Sequence, residues 1–170
     1  MTDRVQLRPT PDRVRETLFN WLAHLYPDPA RLRGLDLFAG TGALGFELAS
    51  RGAQRIVLVE RDAALVAALT AMRETLGASE VEVIRGDAIE VAAGLPPAGF
   101  DVIFVDPPYE APLLRPALTL AGRLLAPGGA IYAEAPTALQ EADLRAQRLQ
   151  VLRAGRAGRV HFHLLGSQPP

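Results

Sequence analysis

Gly34-Leu35-Asp36-Leu37-Phe38-Ala39-Gly40-Thr41-Gly42-Ala43-Leu44-Gly45 is the stretch that decides how this chain folds. It reads as a short apolar strand over residues 35–38, a glycine-rich turn, and a helix beginning near Ala43. Gly40, Gly42 and Gly45 carry the G-x-G-x-x-G spacing of a nucleotide-binding loop, where glycine permits a tight turn and close approach of a ligand to the backbone. Glu60 follows Gly40 by 20 positions, after the apolar run at residues 56–59. At the tip of a second strand its carboxylate is placed to accept hydrogen bonds from both hydroxyls of a ribose. That spacing alone fits NAD or FAD equally well. Asp36 shifts the balance: a carboxylate four residues ahead of the first glycine crowds a dinucleotide pyrophosphate but suits a ligand carrying an ammonium group.

Beyond this stretch, strand-like runs recur at residues 56–59, 81–84, 102–105 and 130–133, separated by helical stretches at 44–50, 63–76 and 113–125. Alternating β and α elements predict an α/β fold with a parallel sheet covered on both faces. Pro96-Pro97-Ala98-Gly99 is a turn between a helix and a strand. Residues 11 to about 26 form an amphipathic helix, with Val14, Leu18, Trp21, Leu22 and Leu25 at helical spacing and Trp21 as its core anchor. Thr10 and Asp12 are placed as its caps. Leu149, Val151 and Arg153, then Val160, Phe162 and Leu164, alternate around Gly155 and Gly158 and predict a terminal antiparallel hairpin. His161 and His163 share a face of that hairpin; with no acid or cysteine near them in sequence, they read as edge-strand histidines and not as metal ligands.

The fourth strand runs straight into Asp106-Pro107-Pro108-Tyr109. In open α/β sheets ligands bind at the carboxyl ends of the strands. Two consecutive prolines, with φ locked and no N–H, cannot continue the strand and instead freeze a turn. A carboxylate, backbone carbonyls and an aromatic ring then surround a space that suits a planar group bearing an NH2. The ordinary alternative is a strand followed by a proline turn.

Asp36 to Gly45, Glu60, Asp87 in Arg85-Gly86-Asp87-Ala88, and the Asp-Pro-Pro-Tyr turn together resemble, in order, the motifs of class I S-adenosylmethionine (SAM) methyltransferases acting on exocyclic amines. Leu125-Ala126-Pro127-Gly128-Gly129 matches the turn that enters the fifth strand of that fold. The segment Arg8-Pro9-Thr10-Pro11-Asp12-Arg13-Val14-Arg15-Glu16-Thr17-Leu18-Phe19-Asn20-Trp21-Leu22 more specifically resembles the bacterial RsmD family, which methylates the N2 amine of one guanine in small-subunit (16S) ribosomal RNA. The resemblance runs from Arg8 to the C-terminus. It implies a Rossmann-like class I methyltransferase fold in one domain over residues 1–170, with residues 1–30 a basic segment and helix packed on it. It implies SAM contacts at Asp36, Phe38, Ala39, Gly40, Thr41, Gly42, Glu60, Arg61, Asp87, Ala88 and Asp106. Asp106, Pro107, Pro108 and Tyr109 become the catalytic group, and Thr10, Arg13, Arg15 and Tyr109 the substrate-binding residues. Family members usually carry a further basic, glycine-containing hairpin ahead of the Arg-Pro-Thr segment. Only seven residues precede Arg8, so the grip on RNA is expected to be affected before cofactor binding.

The expected chemistry is direct methyl transfer, with ribosomal RNA or the small ribosomal subunit as partner, no metal and a monomeric enzyme. Asp106 and a backbone carbonyl in the proline turn would accept the two N–H hydrogens of the target amine while Tyr109 stacks on a base turned out of its helix. Three alternatives stay open on the motifs alone: an adenine-N6 methyltransferase, a nicotinamide-dependent oxidoreductase, and a non-catalytic RNA-binding module on the same fold.

Composition agrees with a single catalytic domain. The chain has 170 residues, 49% of them hydrophobic, enough for a substantial core. The absence of a span-length apolar run or a secretory leader predicts a soluble, cytoplasmic protein. Cysteine is absent, which excludes disulfide and thiolate chemistry. All 18 basic residues are arginine, and they cluster. Residues 1–15 hold four Arg against two Asp, and residues 145–170 five Arg and no acid, while the stretch between is acidic. Genomic base composition accounts for the missing lysine, whereas the basic ends suit phosphate groups.

Overall fold

Seven apolar or alternating segments pair into one sheet in the computed structural model, which describes residues 10–109 and 112–170. In chain order the elements are α1 (Asp12–Leu25), a 3-10 turn (Pro29–Arg31), β1 (Arg33–Asp36), α2 (Ala43–Ser50), β2 (Arg55–Glu60), α3 (Ala63–Leu76), β3 (Val81–Arg85), α4 (Ala88–Gly94), β4 (Phe100–Val105), α5 (Leu114–Leu124), β5 (Leu125–Ala135), α6 (Glu141–Ala146), β6 (Leu149–Ala157) and β7 (Val160–Ser167). The sheet order is β3-β2-β1-β4-β5-β7-β6. Strands β1 to β5 are parallel, and β7 runs antiparallel to both β5 and β6. The chain winds from β1 outward through β2 to β3, then returns to β4 on the other side of β1. The carboxyl ends of β1 and β4 therefore flank the switch point at which such sheets bind ligands.

Two apolar clusters sandwich the sheet. Val14, Leu18, Phe19 and Leu22 of α1, Leu44 and Leu48 of α2 and Leu69 of α3 pack on one face against Ile56, Leu58, Phe104 and Tyr132. Ala88 and Ala92 of α4, Ala117, Leu118, Ala121 and Leu124 of α5 and Leu144 of α6 cover the other, against Leu35, Val57, Ile103 and Ile131. The expected helices on both faces and the C-terminal antiparallel hairpin are both present.

Local differences from the sequence reading have local causes. Strand β1 stops at Asp36, not at residue 38, because the Asp36 carboxylate takes the Phe38 N–H at 3.2 Å and turns the chain out of the ladder. Residues 125–129 belong to β5 itself: Leu125 pairs with Phe100 and Ala130 with Val102, and the irregularity between them contains Gly128 at φ 78°. On α1, Leu25, expected in the apolar stripe, is exposed, while Phe19, outside that spacing, is buried. Trp21 is only partly buried; its ring lies 5.4 Å from that of Phe162, so it ties α1 to the hairpin. Neither Thr10 nor Asp12 caps α1: its N-cap is Pro11, no side chain caps it, and Asp12 instead pairs with Arg15 at 2.9 Å. The hairpin histidines are not at an edge. β7 lies between β5 and β6, and His163 is buried, accepting the Leu139 N–H at Nε2 (3.1 Å) and facing the Ala133 carbonyl with Nδ1 (3.2 Å). Burial holds its pKa below the usual histidine value, so the neutral Nδ1–H tautomer bridges the Ala133 carbonyl and the Leu139 amide.

Candidate active site

The glycine turn is built by backbone conformation. Gly40 at φ 58° and Gly42 at φ 80° occupy the left-handed region that side chains disfavour. A Cβ on Gly42 would stand 2.6 Å from Leu69 Cδ2 and 2.7 Å from Phe46 Cε2, so the position is closed sterically as well. Gly45 serves packing instead, since a Cβ there would collide with Leu58 Cδ2 and its absence lets α2 settle on β2. The turn is anchored by Ala39 N–H to the Val59 carbonyl (3.0 Å), Gly42 N–H to the Ala39 carbonyl (2.8 Å), and Gly40 N–H to Glu60 Oε2 (2.9 Å).

Glu60 is thus a structural brace for the turn. Its other oxygen, Oε1, accepts the N–H groups of Arg61 (3.0 Å) and Asp62 (3.1 Å). A carboxylate has about four lone-pair directions. Three are taken, so accepting both hydroxyls of a ribose would release one backbone N–H. Asp87 is the N-cap of α4, its Oδ1 accepting from Ile89 N (3.0 Å) and Glu90 N (3.0 Å), while Ala88 is buried behind it. Phe38, Thr41 and Arg61 lie along the same rim of the sheet, Thr41 and Arg61 exposed and Phe38 half-buried.

Asp36 sits at the tip of β1, 3% exposed. Burial pushes its carboxyl up to about 7; the Phe38 N–H opposes that rise, and the Glu60 and Glu134 carboxylates add to it. Glu134 was not singled out by the sequence. It is 4% exposed at the carboxyl end of β5, two residues after Tyr132 and on the same face. The Tyr132 ring meets the Phe104 ring edge-on at 6.3 Å, and its buried hydroxyl makes no well-formed hydrogen bond among the described residues. Burial drives that hydroxyl's pKa well above the usual phenol value, and the charges of Glu134 and Asp106, the hydrogen-bonding reach of Glu134 and the Tyr109 phenol oxygen push in the same direction. The only signal for Glu134 in the sequence was an acid inside an apolar strand.

Asp106 continues β4 on the face that bears Phe104 and is half-buried; Pro107 is buried, Pro108 exposed and Tyr109 half-buried. Because Asp36 pairs in register with Phe104, Asp106 stands two residues beyond Asp36 on the adjacent strand. Asp36, Glu60, Asp106 and Glu134 therefore ring one end of the sheet, an acidic mouth suited to a cationic ligand. Thr10, Arg13 and Arg15 lie at the start of α1, which covers this face of the sheet. No group of His, Cys, Asp and Glu able to hold a metal ion occurs among the described residues, and no helix there is long and apolar enough to cross a membrane.

Known proteins share both the sequence and the fold. Ribosomal RNA small subunit methyltransferase D of Escherichia coli K12 is 43% identical over 120 residues, 69% of this chain and 58% of that protein, so the chain spans less than two thirds of the relative's length. The protein of the same name from Buchnera aphidicola subsp. Baizongia pistaciae is 31% identical over 93% of this chain and 80% of its own length. The solved structure of Escherichia coli YhhF superposes with a TM-score of 0.80 at 36% identity, covering 96% of this chain and 89% of that one. The family model described as conserved hypothetical protein 95 matches residues 1–166, and the chain belongs to that family, the one that includes the ribosomal RNA small subunit methyltransferase D proteins.

Proposed function

We propose that the protein is a SAM-dependent methyltransferase acting on the exocyclic N2 amine of a guanine in small-subunit ribosomal RNA, working as a cytoplasmic monomer. The observation that carries this reading is the Asp106-Pro107-Pro108-Tyr109 turn on the strand next to Asp36 at the switch point of the sheet. Family membership supports the substrate class.

The residues present fit the cofactor. A buried carboxyl with a pKa near 7, flanked by two more carboxylates, lacks only a cation to favour its ionised form; the ammonium and sulfonium groups of SAM meet that need. Gly40 and Gly42 hold the turn in the left-handed region, and a ligand would lie along its backbone beside exposed Thr41. Asp36 with residues 38–42 would hold the methionine part, Glu60 and Arg61 the ribose, and Asp87 with Ala88 the adenine edge. When bound, SAM supplies an electrophilic methyl group.

The chain's own residues then do the remaining work. The guanine amine is a poor nucleophile because its lone pair is delocalised into the ring. Asp106 Oδ and a carbonyl of the proline turn accept its two N–H hydrogens, favouring a pyramidal nitrogen whose lone pair points at the cofactor site. Tyr109 stacks on the extruded base. As charge develops on nitrogen, the fixed Asp106 carboxylate stabilises it without reorganising. Thr10, Arg13 and Arg15 at the start of α1 contact the RNA.

The test is transfer of labelled methyl from SAM to small-subunit ribosomal RNA, free and as particles lacking the modification, followed by nucleoside digestion. Label in N2-methylguanosine is the expected result. Label in methyladenosine would retain the mechanism and overturn the target. A protein that binds NAD and not SAM would be an oxidoreductase, although Asp36 and the proline turn would then have no role.

A further inference from the structure

A groove of about 380 Å³ runs between α1 and the C-terminal hairpin, lined by Arg13, Thr17 and Trp21 on one wall and Gly155, Arg156 and Phe162 on the other. We infer that this groove holds the sugar–phosphate backbone of the RNA beside the target nucleotide, an assignment that rests on the activity proposed above. Position, shape and charge each point to it.

Position follows from strand register. Val105 pairs with Ala133, Glu134 with Phe162, and Phe162 with Gly155. Asp106, one residue past Val105, is therefore level with Phe162 and Gly155 across the sheet. Strands spaced about 4.8 Å apart put Gly155 roughly 14 Å from Asp106, a span of a few nucleotides. The groove also opens on the face of Asp106, since Phe162 and Phe104 belong to the same apolar cluster as Val14 and Leu18 of α1.

Shape follows from one glycine. A Cβ on Gly155 would collide with the Phe162 ring, so the bare strand lies directly over that ring and the groove keeps its depth. Phe162 and the partly buried Trp21, with rings 5.4 Å apart, give it an apolar floor, suited to the face of a sugar or base.

Charge supplies the choice of occupant. Arg13 of α1 and Arg156 of β6 both line the groove; exposed Arg153 lies on the strand face of Gly155, and exposed Arg159 sits at the hairpin turn. Arg156 Nε donates to the Gly158 carbonyl at 2.9 Å, which steadies its guanidinium. Among the described residues the ion pairs take Arg15, Arg33, Arg51 and Arg55, and none takes these four arginines. Residues 145–170 contain no acid to pair with the three hairpin arginines. Arginines without carboxylate partners among the described residues, on the helix and the hairpin that bound an apolar floor, match a phosphodiester strand, which presents anions along its edges and apolar faces between them.

Binding of in-vitro transcribed small-subunit ribosomal RNA, measured against salt, tests this. Arg13→Ala with Arg156→Ala should weaken RNA binding about tenfold or more at moderate salt and lower the slope of log Kd against log salt by about 1 to 2. SAM affinity, read by calorimetry, should not move. Thr17→Glu, a carboxylate in the groove wall at a helix-compatible position, should give the same loss. Arg31→Ala removes one positive charge ahead of β1, outside the groove lining, and should leave RNA affinity and slope unchanged. Unchanged RNA affinity and slope in both groove variants overturn the assignment. A loss seen only on assembled particles, with free RNA bound normally, also overturns it and makes the groove a dock for a ribosomal protein. If the parent protein methylates RNA and the groove variants do so with unchanged KM, the groove fails alone; if the parent transfers no methyl to RNA, both readings fail.

Discussion

Asp36 is the residue at which burial and charge oppose each other most directly. Its folded-state pKa, about 7 against an ordinary 3.8, means that the folded protein binds this proton more tightly than the unfolded chain. The stability it contributes is whole below about pH 4 and is lost as pH rises through 7. Asp36→Asn should therefore be more stable than the parent at pH 8, by an amount on the order of a few kcal/mol, with the gain shrinking toward pH 4. Thermal melts of both proteins across that range check this; parallel curves would refute it. The same variant should bind SAM weakly, because the cation loses its counter-charge. Asp106→Ala separates chemistry from binding. Turnover should fall by about 10²- to 10³-fold, while the protein stays folded and its SAM affinity changes by only a few-fold. Near-normal turnover would show that Asp106 does not hold the amine.

At the scale of elements, the turn before α2 is specified by backbone conformation more than by contacts. Gly42→Ala should cost about 1 kcal/mol for the left-handed conformation alone, with a further loss from the clash with Leu69 and Phe46. A lowered melting temperature together with weaker SAM binding is expected, whereas Gly77→Ala, also at positive φ but with open space around it, should lower stability without touching SAM affinity. Most elements were legible because their patterns are local. Runs such as 56–59 and 102–105 are apolar throughout, and a strand buried on both faces needs that composition. Helices α4 and α6 were not delimited: at seven and six residues they are too short to display a helical period. Leu25 left the core and Phe19 entered it because amphipathic spacing fixes a stripe on a helix but not how far along its length a partner surface extends.

For the whole molecule, the sheet gathers charge that the sequence spreads out. The acids at 36, 60, 106 and 134 meet at one mouth, and arginines from both ends of the chain line a groove beside it. Methyl transfer to RNA should accordingly fall steeply with added salt through KM, with kcat less affected, since phosphate contacts screen while the buried acids do not. A salt-independent KM measured between low and moderate ionic strength would contradict that picture.

The order of motifs by itself determined the alternating fold, the glycine turn and the proline turn, because each depends on backbone preferences of neighbouring residues: glycine at positive φ, proline unable to pair, apolar runs that must be buried. Tertiary structure alone decided what those motifs face. Glu134 joined the site only because β5 lies beside β4, His163 became a buried bridge only because β7 inserted between β5 and β6, and Arg13 lines one groove with Arg156 only because α1 packs against the hairpin. Such neighbours lie tens to more than a hundred residues apart, and no local preference encodes them; packing of the two apolar faces onto one sheet does.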